Sequence, residues 1–214
     1  MKRFSVFLAT GLLAAALPTD FAHSQGAPVT VATGAPGAAN IVTDFGDRTL
    51  RMLQDRTLTR AGRELDFRSS LEADFDFQTI ARFVLGRYWQ SATDQERQAF
   101  SAVYKDYVVQ SYSALFDGFG VQRLKVTGER VEGAATTIVK TDVARSNSAA
   151  MTKVDWRVLK VGDGYKIIEV IVEGVSVSMA QRQEVASIME RNGQQISDLI
   201  AQLHEKTAGS GAPQ

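Results

Sequence analysis

The spacing of apolar residues changes once along this chain, near Gln122, and that change dictates which layers it can build. Before Gln122 they recur at three and four residues, the spacing that gives an α-helix one oily side; after it they alternate, as in a half-buried β-strand. The segments "LKVTGERV", "TTIVKTDVA", "TKVDWRVLKV" and "YKIIEVIVEGV" read as four strands in succession, with turns at Gly133, at Asn147 and at Gly162-Asp163-Gly164. Connections this short join antiparallel neighbours, because a parallel pair needs a long crossover. Along the third strand Val154, Trp156 and Val158 share one face; along the fourth, Ile168, Val170 and Val172 do. The expected fold class is α+β, with several helices packed on one face of a four-stranded antiparallel sheet.

The helical half is well signposted. "NIVTDFGDRTLRMLQDRT" carries Val42, Phe45, Thr49 and Met52 at helical spacing, and a shorter helix with Leu65 and Leu71 follows. In "FDFQTIARFVLGRYWQ" the stripe Phe77, Ile80, Ala81, Val84, Leu85, Tyr88 already makes a full apolar face, yet Phe75, Phe83 and Trp89 fall outside it. Asp76 is positioned to cap this segment and Gly86 to end it. Thr93-Asp94-Gln95-Glu96 is a capping box ahead of a long stripe, Phe100, Val103, Tyr104, Tyr107, Val108, Ser111, Tyr112, Leu115 and Phe116, that stops at Gly118 and Gly120. Two last helices, one with Val185, Ile188 and Met189 and one with Ile196, Leu199, Ile200 and Leu203, are separated by Asn192-Gly193. More apolar surface is on offer than one core-facing side needs.

The termini are of a different kind. Lys2 and Arg3 precede the apolar run "FSVFLATGLLAAAL", and Ala22-His23-Ser24 supplies small residues where a signal peptidase reads, so residues 1–24 are expected to be a cleaved export signal. The chain has only four prolines, Pro18, Pro28, Pro36 and Pro213, all in the flanking regions. Residues 25–39 therefore read as a flexible linker, 40–206 as one domain and 207–214 as a disordered tail. No later run is apolar enough to span a bilayer, so a soluble exported protein is expected.

Residue counts exclude several chemistries. Lys+Arg and Asp+Glu are both 24, which removes the basic excess that phosphate-backbone binding requires. With no cysteine there is neither a disulfide, nor a thiol nucleophile, nor a lipidated cysteine anchor. His204 is the sole histidine left after signal removal, so a multi-histidine metal site is excluded and no metal is expected. An enzyme of the small α+β kind would have to draw on Asp142, Asp155, Glu169 or Glu173. Asp155 and Glu169 alternate with apolar neighbours, which is expected to point them to the solvated face.

Three stretches together, "DFDFQTIARFVLGRYWQSATDQERQAF", "VDWRV" and "IVEGVSVSMAQRQEVASIMERNGQQISDLIAQL", closely resemble the MlaC-type periplasmic phospholipid-binding proteins, the toluene-tolerance auxiliary family, over roughly Ile41 to Leu203. The chain departs from the family pattern mildly, at Asp94, at Trp156 and at Ile168-Glu169-Val170. The resemblance implies a non-enzymatic carrier without cofactor, holding a glycerophospholipid by its acyl chains in an apolar cavity between helices and sheet. It implies two protein partners: an inner-membrane ABC transporter complex with an MCE-type lipid-binding subunit, and an outer-membrane lipoprotein/porin complex. Carriage between them would maintain outer-membrane lipid asymmetry. A hopanoid-associated branch of the same family is an alternative, as is a periplasmic chaperone or adaptor that binds hydrophobic protein segments.

On that reading the acyl chains meet Phe77, Ile80, Val84 and Trp89 from the third helical segment and Val103 and Tyr107 from the long helix. From the strands they meet Leu124 and Val126, then Val154, Trp156 and Val158, then Ile168 and Val170. Arg82, Arg87 and Arg157 are the candidate phosphate contacts, and Tyr88 and Tyr104 suit a rim, having an apolar body and a polar tip. A two-tailed lipid of about 30 methylenes represents roughly 24 kcal/mol of burial at about 0.8 per methylene, which forbids free passage through water. A cavity on the order of 1,000 Å³ would be required.

Overall fold

Local signals set the helices, and their caps are in place. The computed structural model describes residues 37–113, 121–145, 148–191 and 193–209. The export signal, most of the linker, the continuation through Leu115 and Phe116 to Gly118 and Gly120, the turn at Asn147, Asn192 and residues 210–214 lie outside the described residues. Among those described, seven helices and five strands follow in the order α1 (Ala38–Gln54), α2 (Arg60–Asp74), α3 (Phe77–Leu85), α4 (Tyr88–Ser91), α5 (Asp94–Ser113), β1 (Val121–Val131), β2 (Thr136–Arg145), β3 (Ser148–Val161), β4 (Gly164–Val172), β5 (Val175–Ser176), α6 (Val177–Arg191) and α7 (Ile196–Gly209). Thr59 starts α2 by accepting a bond from Gly62 N at 3.1 Å, and Asp76 starts α3 by accepting one from Thr79 N at 2.9 Å. The capping box is reciprocal: Thr93 Oγ1 accepts from Glu96 N at 3.2 Å and Glu96 Oε2 accepts from Thr93 N at 2.8 Å. Gly86, at φ 62°, ends α3 in a conformation that side chains with a Cβ rarely adopt.

The sheet is an antiparallel meander in the order β1-β2-β3-β4-β5. Its fifth strand was not expected: Glu173 at φ 49° and Gly174 at φ 80° form a two-residue hairpin turn with both central residues left-handed, so the chain folds back for Val175 to pair with Val172. A second departure lies in β4. Arg157 is opposite Glu169 while Val158 is opposite Ile167, which leaves Ile168 as the extra residue of a β-bulge. The strict alternation expected for Ile168, Val170 and Val172 is therefore broken, and Ile167 takes the buried core position in place of Ile168. The bulge is pinned from outside the sheet, for Phe75 bridges Ile167 and Asp76 N donates to Ile167 O at 3.0 Å.

α1 lies directly on the sheet, with contacts to β1 through β4. A Cβ placed on its Gly46 would sit 3.2 Å from Leu124 Cδ1, so helix and strand approach about as closely as a glycine allows. α2 packs beside α1 and reaches α5; α3 packs on α6, α5 on α7, and α6 on α7. The result is a core between sheet and α1–α2, containing Val42, Phe45, Phe67, Leu71, Val139, Trp156, Val158 and Ile167, beside a helical layer in which Val185, Ile188, Met189, Leu199 and Leu203 are buried.

Candidate functional site

The helix-facing side of the sheet is built from cross-strand rows, since residues opposite one another in an antiparallel pair share a face. One row joins Val131, Thr137, Val158 and Ile167; the next joins Glu129, Val139, Trp156 and Val170; the next joins Val126, Thr141, Val154 and Val172; the last joins Leu124, Val143 and Thr152. Burial is uneven along these rows: the β2 members Thr137, Val139, Thr141 and Val143 are all buried. Val158 and Ile167 are wholly buried, Trp156 and Val154 nearly so, and Val170, Val172, Leu124 and Val126 remain only half-buried although they point to the helical side. Val109 of α5 belongs to the same apolar cluster, and Val108 and Tyr112 of α5 and Phe77 of α3 pack against it. α5 itself packs chiefly on other helices.

In the middle of this floor the polar groups are satisfied internally. Trp156 Nε1 donates to Thr141 Oγ1 at 3.0 Å, and Thr141 Oγ1 donates to Val154 O at 2.7 Å, so the two polar side-chain groups in the middle of the face satisfy each other and the backbone. Aromatic rings join floor to helices. Phe45 lies edge-on to Trp156 at 5.8 Å and to Phe75 at 5.2 Å, with Phe67 behind it at 6.5 Å and Phe77 at 6.1 Å from Phe75.

The residues expected at the site divide in two. Phe77, Leu124, Val126, Val154, Trp156, Val158 and Val170 belong to the floor cluster or pack against it. Ile80, Val84 and Val103 are buried outside that cluster, on the helices that pack among themselves. Trp89 is half-buried beneath the Arg97 guanidinium, 5.8 Å from the ring centre, and Tyr107 lies under Lys206 at 5.9 Å. Burial pushes the Tyr107 hydroxyl pKa up, with Glu184 adding to it.

The five head-group candidates are not brought to one place. Arg82 is exposed on α3. Arg87 donates to the Tyr88 hydroxyl at 2.7 Å and to Glu190 at 3.2 Å, and the Tyr88 bond raises its pKa. Tyr88 and Tyr104 are interior residues rather than rim residues: Tyr104 stacks on Phe100 at 5.7 Å, its hydroxyl is bonded to Gln181, and burial holds its pKa well up. Arg157 opposes Ile138 in register, on the side away from the floor, and grips Glu132 through Nε at 2.6 Å and Nη2 at 3.1 Å.

Glu169 reverses its expectation of a solvated carboxylate. It is buried, and Oε1 accepts from Val170 N at 2.9 Å and Ser178 N at 3.1 Å while Oε2 accepts from Ser176 Oγ at 2.6 Å. Ser176 Oγ in turn accepts from Met179 N at 3.0 Å, so Glu169 anchors the start of α6, where free amides and the helix dipole favour an anion. Of the other carboxylates, Asp142 opposes Lys153, Asp155 opposes Lys140, and Glu173 Oε1 accepts from Lys153 N at 2.6 Å. Among the described residues no group of three acidic or histidine side chains is placed to hold a metal. A groove of about 360 Å³ between α1 and α2, lined by Arg48, Asp55, Asp66 and Ser69 among others, is of mixed polarity and unlike the apolar floor.

Sequence reasoning did not single out Phe45, Phe75, Tyr112 or Val172 for the site. Phe75 had a signal, since it lay outside the helical stripe. Val172 lay on the expected inner face of β4. No helix among the described residues is long and apolar enough to cross a membrane.

Comparison with known proteins agrees with this architecture. A phospholipid-binding protein from Ralstonia solanacearum, solved in complex with a phospholipid, superposes with a TM-score of 0.70 over 82% of this chain and 99% of that one, at 21% identity. The toluene tolerance protein Ttg2D of Pseudomonas putida is 25% identical over 114 residues, which is 53% of each chain, so this chain spans about half the length of that curated relative in the match. The family model described as MlaC protein matches residues 43–205, helices and sheet together, and the chain belongs to the MlaC family.

Proposed function

We propose that this protein is a periplasmic carrier that binds a glycerophospholipid by its acyl chains, between the sheet and the helices, and moves it between the lipid-transport complexes of the two membranes. The observation that carries the reading is the half-buried apolar part of the floor: Val126, Val170 and Val172 face the helical side and are only partly covered there, as is Leu124 beside Gly46 of α1. Apolar surface that the fold points inward and does not cover costs about 25 cal/mol per Å² until something apolar covers it. Acyl chains are suited to that task, and the floor's internally bonded tryptophan and threonine ask nothing polar of them.

The fold shared with the Ralstonia solanacearum phospholipid-binding protein and membership of the MlaC family support the same reading. So does the predominance of aliphatic and aromatic side chains in the cluster on the floor. The inner-membrane ABC transporter complex with its MCE-type subunit and the outer-membrane lipoprotein/porin complex are the proposed partners. Because lipid passes from one apolar site to another, the transfer itself is near neutral in free energy, and the partners set its direction.

Native mass spectrometry of the exported protein tests this directly. The expected spectrum has an adduct of one two-tailed phospholipid, lost after solvent extraction. A hopanoid mass would move the protein to the other branch, and lipid-free protein that captures unfolded peptide would replace the carrier reading with a chaperone.

A further inference from the structure

We propose that the aromatic bar Phe45–Trp156–Phe75 is an end stop that sets the longest acyl chain the protein accepts, a specificity determinant that rests on the lipid-carrier reading. Three elements each contribute one ring: Phe45 from α1, Trp156 from β3 and Phe75 from the junction of α2 and α3. The bar crosses from helices to sheet where the floor changes character. On β3 the residues facing the helices pass from Val158, with no exposed surface, through Trp156 and Val154 to half-buried Thr152; on β4 they pass from Ile167, also with none, to half-buried Val170 and Val172. On the lipid-carrier reading a tail takes the Val154–Val172 side of the bar, where β3 and β4 are less covered although Thr141 and Val143 of β2 are buried, and the fully buried Val158 and Ile167 lie behind the bar.

Trp156 and the backbone at Phe75 are fixed by hydrogen bonds, and Phe45 by packing between them. Trp156 is oriented by its Nε1 bond to Thr141 Oγ1 at 3.0 Å. Phe75 is held by its backbone bridge to the bulge at Ile167 and by the Asp76 N to Ile167 O bond at 3.0 Å that follows it. Phe45, between them, meets both edge-on and is backed by Phe67. A barrier so supported does not yield gradually, because packed interiors resist the insertion of even one methylene. Thr152 to Trp156 spans four residues, or roughly 13 Å at about 3.3 Å per residue, which is the order of the tail length the floor can cover. Every methylene left in water beyond that costs about fourfold in affinity.

The test offers the delipidated protein a mixture of saturated phosphatidylglycerols that differ by two methylenes per tail, and reads the bound distribution by native mass spectrometry. Wild type should show a sharp upper limit, and Phe45→Ala should move that limit to longer tails by two methylenes or more. Phe45→Leu, which keeps most of the packing, should move it less, and it keeps the test valid if the alanine variant fails to fold. Phe83→Leu, on the exposed side of α3, should keep the wild-type limit. Binding that is indifferent to tail length in wild type, or a limit unmoved in folded Phe45 variants, overturns the end stop and leaves the carrier reading standing. Wild type that takes up none of the lipids overturns both.

Discussion

Val139 and Val170 flank the same tryptophan in one cross-strand row, and a phenylalanine at each separates a filled interior from one that lipid completes. Val139 has no exposed surface. Forcing a ring there overpacks a closed site and should cost about 1–3 kcal/mol of unfolding free energy. Val170 is half-buried, so Val170→Phe has room and should cost the delipidated protein less than about 1 kcal/mol. The new ring takes space otherwise filled by about two or three methylenes, which weakens lipid binding by about 2 kcal/mol, or roughly thirtyfold. Urea unfolding of delipidated protein measures the first quantity, and lipid occupancy by native mass spectrometry the second. If Val170→Phe is as destabilising as Val139→Phe and occupancy does not change, the floor is a solid core and the carrier reading fails.

Three further outcomes are expected. Glu169→Ala strips three hydrogen bonds from a buried site and should lower stability by about 3 kcal/mol, a fall in Tm of about 6–12 °C; a loss below about 0.5 kcal/mol by circular dichroism melting would contradict the anchoring role. Asp76→Ala removes the α3 cap and should cost about 1 kcal/mol, read as a shift in urea midpoint at unchanged slope. Stability should also respond to alkaline pH in two opposite phases. Burial holds Lys206 near 8, below its ordinary 10.5, so between those values the unfolded chain binds more protons than the folded one and stability rises with pH. Burial pushes Tyr112 from 10.0 up to about 12, so above pH 10 the unfolded chain loses a proton the folded one keeps and stability falls. Urea midpoints on both sides of pH 10 check the pattern, and Lys206→Met should abolish the rise alone.

What the sequence made legible follows from how local each signal is. The caps at Asp76 and Thr93 depend on residues three apart, and they are where the spacing put them. The strands follow the change of period, yet a strict alternation cannot register one extra residue, so the bulge at Ile168 hid the core position of Ile167. Glu169 is on the outer side, as alternation placed it, and its burial there comes with its bonds to Ser176 and Ser178 at the start of α6, which alternation does not encode. The fifth strand was missed because two residues suffice for it once Glu173 and Gly174 turn the chain. Helical periodicity says which side of a helix is oily but not which neighbour covers it. Hence Ile80, Val84 and Val103 are apolar and buried as expected, but they lie outside the cluster on the sheet, on helices whose main contacts are with other helices. Phe75 shows the complementary case: it fell off the stripe because it is not helical at all, and its extended backbone is what lets it bridge β4.

The same floor also limits what the protein can recognise. In the middle of the floor the polar atoms are spent on each other, Trp156 on Thr141 and Thr141 on Val154, while Thr137, Thr152 and Glu129 share the same face nearer its margins. On the proposed reading, affinity then comes chiefly from methylenes and discrimination in the middle of the floor from shape, which is where a rigid aromatic stop acts. Of the three candidate phosphate contacts, Arg157 and Arg87 are already paired to Glu132 and Glu190, and Arg82 is exposed on α3. Both of those pairs are partly exposed, so exchanging a glutamate for a phosphate would gain little net free energy. A carrier built this way holds different head groups nearly alike and releases them nearly alike, and selection among them falls to the complexes that load and unload it.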